Sequence, residues 1–150
     1  MNKGRRIGAL AAAAVAAIGM TMTVATAPAS AAKAAKGPQP VSQLLQRVDE
    51  NSTETVYVWF KTDRRICNFK LRVSDSARVD VMHPQGWYTS LSRDSRLQRN
   101  ERDYVTFDVK VGDYNRDTWQ LMYATMSYDN CGRFARTQTK HTGFLLPVNA

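Results

Sequence analysis

Basic side chains crowd the neighbourhood of the two cysteines. Lys61, Arg64, Arg65, Lys70 and Arg72 surround Cys67 with only Asp63 to oppose them, and Arg133, Arg136 and Lys140 follow Cys131. Guanidinium and ammonium groups without acidic partners recognise phosphate and carboxylate through charge-assisted hydrogen bonds. A disulfide holds its two Cα atoms within about 7 Å, so a Cys67–Cys131 bridge would carry Arg64, Arg65 and Arg133 to one end of the fold. Lys70 and Arg72 fall on the polar side of an alternating stretch. The expected site is therefore a basic patch of Arg64, Arg65, Lys70, Arg72, Arg133 and Arg136 that contacts anionic cell-envelope polymers. The competing reading is a solubilising basic surface, because exposed charges in water contribute little.

Other constellations carry less. SRDSRLQRNERD (92–103) places Arg93, Arg96, Arg99 and Arg102 three apart. That period drifts around an α-helix and switches faces on a strand. Asp94, Glu101 and Asp103 cancel most of its charge, so the stretch reads as a solvated connector. Asp113, Asn115 and Asp117 have the opening spacing of a calcium loop. Thr118 and Ala124 occupy the places where an EF-hand needs Gly and Glu, so a turn is expected and no metal site. Trp87 and Tyr88 follow an HPQG turn and could stack on a sugar or a protein partner. Trp59 and Trp119 lie in apolar strands and read as core. His83 and His141 have no metal-ligand spacing, and neither a nucleophile elbow nor a phosphate-binding glycine loop is present. The expectation is a non-enzyme without cofactors.

The elements that must position these residues are mostly strands. ETVYVWFKT and TWQLMYATMSY are apolar on both faces, as central strands would be. CNFKLRVS and DYVTFDVKV alternate, with ARVDVM between them and one or two closing strands after Cys131. About seven strands and frequent turn signals predict an all-β antiparallel sandwich over 53–150, which resembles immunoglobulin-like sandwiches in outline. Residues 32–52 read as a linker followed by a short amphipathic helix, with Val41, Leu44, Leu45 and Val48 at helical spacing.

The leader explains the compartment. Lys3, Arg5 and Arg6 precede an alanine-rich apolar run that ends in Ala29-Ser30-Ala31, which predicts a signal peptide over 1–31 cleaved between Ala31 and Ala32. Such a leader resembles those of high-GC bacteria, and a twin-arginine route is an alternative to Sec. The chain has 21 basic and 13 acidic residues; removing the leader leaves 18 against 13. That surplus is moderate and argues against a dedicated nucleic-acid binder. Two cysteines in an exported chain predict one disulfide. The expected protein is a secreted binding or surface module without a transmembrane segment after processing. Its partner is expected to be an anionic polymer or an extracellular protein, with oligomeric state open. The alternative is a secreted protease inhibitor that presents Arg64 or Arg65 to a trypsin-like cleft.

Overall fold

The computed structural model describes residues 37–150. The expected signal peptide and the first residues of the expected linker lie outside the described residues. Eight strands follow in order: β1 Gln39–Pro40, β2 Val48–Asp49, β3 Thr53–Lys61, β4 Ile66–Val73, β5 Val79–Met82, β6 Arg102–Val111, β7 Thr118–Asn130 and β8 Thr137–Asn149. They form two four-stranded sheets, β1-β3-β6-β5 and β2-β8-β7-β4, the β-sandwich expected from the alternating patterns. One pairing is not antiparallel: β2 runs parallel to β8.

Alternation builds the core. Val56, Val58 and Phe60 on β3 and Val105, Phe107 and Val109 on β6 are buried on one sheet. Phe69 and Leu71 on β4, Met122 and Met126 on β7, and Phe144 and Leu146 on β8 are buried on the other. The layers meet where Phe60 packs on Phe69, with ring centroids 5.1 Å apart. Tilted aromatic pairs of this kind are favourable beyond the area they bury.

Two expectations are corrected here. There is no helix over 41–51. The segment instead laces the edges of both sheets: Val41 N–H donates to Trp59 O, Leu45 N–H to Leu145 O, and Glu50 N–H to Asn149 O. Unpaired strand edges offer each amide a partner, whereas an isolated helix of this length is marginal in water. Residues 37–40, the described end of the expected linker, therefore belong to the fold, with β1 paired to β3. Gly37 is buried at φ +106° against the Tyr128 ring, where any Cβ would collide. Its N–H donates to Asp63 Oδ1 at 2.7 Å. The second correction concerns the two-sided strands. Trp59 is 47% exposed and Trp119 57%, because each sheet is covered on one side only and the second apolar face looks outward.

The arginine run has a structural job. Residues 89–97 form a strap along the outer edge of β4. Leu97 exchanges both backbone hydrogen bonds with Ile66, Thr89 does so with Leu71, and Phe69 N–H donates to Ser95 O. Leu91 and Leu97 are buried beneath it. Asp103 ties the strap to β6. Its buried carboxylate accepts from Ser92 Oγ, Arg93 N–H and Tyr104 N–H, the donors a buried charge requires. The arginine side chains remain outside, as a solvated connector predicts: Arg93 pairs with Glu101 at 2.7 Å and Arg96 with Asp94 at 3.8 Å.

Candidate functional site: the disulfide end and the groove beside it

Cys67 and Cys131 are bonded, with Cα atoms 5.3 Å apart. The bridge lies within one sheet, since Cys67 on β4 is paired in register with Asp129 on β7. It pins the loop between β7 and β8 (131–136) beside the turn between β3 and β4 (62–65). The strap reaches the same end, because Leu97 pairs with Ile66 and Asn100 N–H donates to Thr62 O at 2.9 Å. Three chain segments thus bring Arg65, Arg99, Arg133 and Arg136 to one end. All four are exposed, and none makes an ion pair or side-chain hydrogen bond with a described residue.

The other basic residues are spent differently. Arg64 is half-buried and turned back onto Asp63 at 3.3 Å. Lys140 donates to Pro38 O at 3.1 Å, and burial pushes its pKa below the usual lysine range. Arg72 is exposed on the outer face of β4, further from the bridge. Sequence reasoning missed Phe134. It stands between Arg133 and Arg136 with 90% of its surface exposed, and only the isolation of its hydrophobic side chain in a polar loop could have signalled it. No acidic residue occurs from Cys131 to the C-terminus, so nothing on that loop offsets its charge.

Beside this end, β4 carries a bulge between Cys67 and Lys70. Bulges re-aim side chains and leave backbone groups that need new partners. Asn68 adopts φ 54° there, a left-handed conformation that asparagine tolerates better than most residues. Its Nδ2 donates to Asp129 Oδ2 at 2.7 Å, while Thr137 Oγ1 donates to Asp129 Oδ1 at 2.7 Å. These two hydrogen bonds hold the Asp129 pKa below the ordinary carboxylate value. Ser90 Oγ donates to Phe69 O at 2.8 Å and joins the strap to the bulge.

Between the bulge, the end of β7 and the strap lies a groove of 530 Å³. Its walls include Asn68, Lys70, Tyr88, Ser127, Asp129 and Thr137. Tyr88 is half-buried and meets the 59% exposed Trp87 edge-on, with centroids 4.7 Å apart. Lys70 Nζ lies 4.8 Å from the Tyr88 ring centroid and 5.7 Å from that of Trp87, within reach of a cation–π attraction. The structure thus brings Lys70 to Trp87 and Tyr88, which the sequence treated as two unrelated candidates.

His83 follows β5 and braces the far end of β4, its Nε2 accepting the Val73 N–H at 3.0 Å. Burial first, and Arg72 second, lower its pKa from the ordinary 6.5. A depressed folded pKa means that the unfolded chain takes up the proton first as pH falls. The stability His83 contributes is therefore complete above about pH 6.5 and is lost as pH falls through its lower folded pKa. Thermal unfolding between about pH 7.5 and pH 5 should show wild type losing more stability than His83→Gln. Parallel curves for the two proteins would count against this role.

No protein-family model matches the chain, and no curated protein matches it. Among solved structures, the GAE domain of yeast GGA1 is similar at 16% identity and TM-score 0.45, covering 71% of this chain and 97% of that one. The secreted serine protease VesC of Vibrio cholerae is similar at 11% identity and TM-score 0.43, over 76% of this chain and 23% of the protease. A PapD-like domain of human CEP192 is similar at 10% identity and TM-score 0.42, over 77% of this chain and 85% of that domain. None of these likenesses speaks to what the chain binds.

Proposed function

We propose that the chain is an exported, non-catalytic binding module whose basic end docks on anionic polymers of a cell envelope. One observation carries the reading. Arg65, Arg99, Arg133 and Arg136 are exposed, have no acidic partner among the described residues, and are gathered at an end pinned by Cys67–Cys131. Exposed arginines with no internal partner are available to phosphate or carboxylate at no cost of breaking an existing pair. Their fixed spacing lowers the ordering entropy that a flexible cationic loop would lose on binding. Export fits the bridge, since disulfides persist in oxidising compartments, and it fits the leader. Among the described residues no helix is long and apolar enough to cross a membrane.

Retention on immobilised polyphosphate tests the reading. Four neutralising contacts give a salt slope of roughly −3 by analogy with nucleic-acid phosphates, or about a 50-fold loss of affinity between 50 and 200 mM salt. The Arg65→Ala/Arg99→Ala/Arg133→Ala/Arg136→Ala variant should abolish that salt-sensitive retention while still folding. Unchanged retention would overturn the proposal. A trypsin assay on the same proteins separates the inhibitor alternative, which now rests on Arg65 because Arg64 is turned onto Asp63. Stoichiometric inhibition lost in Arg65→Ala would favour an inhibitor; full trypsin activity is expected.

A further inference from the structure

The groove and the basic end are neighbours. Thr137 in the groove wall directly follows Arg136, and Asn68 directly follows the bridged Cys67. Resting on the proposed function, we infer that the groove is a sugar-ring subsite, which makes the ligand an acidic glycan instead of any polyanion. Each part of the groove suits a pyranose ring. Asp129 is a fixed, ionised acceptor whose oxygens each have a further lone pair for a ring hydroxyl. Asn68 and Thr137 hold that carboxylate in place, so its orientation does not depend on the ligand. Tyr88 offers an aromatic wall to the apolar C–H face of a ring, and Lys70 at that wall can donate to a ring oxygen or a ring carboxylate.

The volume, 530 Å³, falls in the range of small-ligand sites. The walls are mostly polar, as a ligand rich in hydroxyls needs and an apolar ligand does not. Asp94 also lines the groove. Its carboxylate is occupied by the Ser95 N–H and faces Arg96 at 3.8 Å, which reduces its repulsion of an anionic ligand. A glycan chain whose one ring sits in the groove would run its next acidic groups past Arg136 and Arg133. The groove would then select the ring and the arginines its charge.

Titration with three probes of similar length tests this: an oligo-uronate hexamer, inorganic polyphosphate and neutral maltohexaose. Oligo-uronate should bind wild type more tightly than either of the others. Tyr88→Leu and Asp129→Asn, each checked for folding by its unfolding midpoint, should each weaken oligo-uronate binding by roughly tenfold, the scale of an aromatic contact for the first and of one hydrogen bond to a charged group for the second. Polyphosphate binding should be weakened by neither. Equal affinity for polyphosphate and oligo-uronate, or oligo-uronate affinity unchanged in both folded variants, overturns the sugar subsite and leaves the basic end standing. Maltohexaose binding as tightly as the uronate, with the quadruple arginine variant still binding, overturns the acidic class and the proposed function together.

Discussion

Replacing Cys67 and Cys131 by serine is expected to lower the stability of the folded chain by about 4 kcal/mol. The bridge closes a loop of 64 residues in sequence separation, and in the chain-entropy model a loop of that length costs the unfolded state about 4 kcal/mol of freedom. The folded state loses little in return. β4 and β7 remain paired through Lys70–Ser127, Leu71–Met126, Arg72–Thr125 and Val73–Ala124, and the side chains of Phe69, Leu71 and Met126 stay in the core. The double serine variant should therefore keep the sandwich and unfold at a much lower urea concentration. Because a typical domain has only about 5–15 kcal/mol in hand, the variant should be close to the limit of folding at physiological temperature. It should also lose affinity for polyphosphate in proportion, since loop 131–136 is no longer held beside Arg65. A loss below about 1 kcal/mol, far short of the chain-entropy value, would mean that the unfolded chain is already compact without the bridge.

The second large effect falls in the stretch that looked least structural. Leu97→Ala is expected to cost about 2–5 kcal/mol, while Arg93→Ala and Arg99→Ala should each stay within about 0.5 kcal/mol. Leu97 is fully buried, and its backbone exchanges hydrogen bonds with Ile66 at 3.0 and 3.1 Å. Truncation leaves a cavity under the strap, whose backbone is held to β4 at Leu97 by Ile66 and at Ser95 by Phe69 and cannot collapse freely. The exposed arginines make at most surface ion pairs, which contribute little. Urea unfolding of the three variants checks the contrast. Comparable small losses in all three would show that the strap is not part of the cooperative fold.

Why the strap was unreadable follows from its composition. Along the strap (89–97) the buried apolar side chains are Leu91 and Leu97, and two separated leucines in a polar stretch produce no period. Its structure comes from the open edge of β4, which supplies backbone partners whatever the side chains are. Alternation, in contrast, made β4 and β6 legible, because Phe69, Leu71 and Val73 or Val105, Phe107 and Val109 must share a face for steric reasons. The same logic misled for Trp59 and Trp119. Two-sided hydrophobicity says that a strand can be covered on both faces, but not that a second layer exists to cover it. At the candidate site, Lys70, Trp87 and Tyr88 were visible as residue types. Asn68 and Asp129 were not, since their roles depend on a bulge that no residue pattern announces.

The amino-acid sequence by itself determined the all-β class, the approximate spans of the long strands, the pairing of the only two cysteines and the concentration of basic charge around them. Those properties are local or forced by count, so they survive ignorance of the fold. Tertiary structure alone decided that residues 37–49 lace the sheet edges, that the strap covers β4, and that Arg99 joins Arg65, Arg133 and Arg136 while Arg64 and Lys140 are bound elsewhere. It also decided that a bulge opens a groove at that end. Each of these depends on which backbone edge or side chain lies across from a residue far away in sequence, and spacing along one chain does not encode that distance.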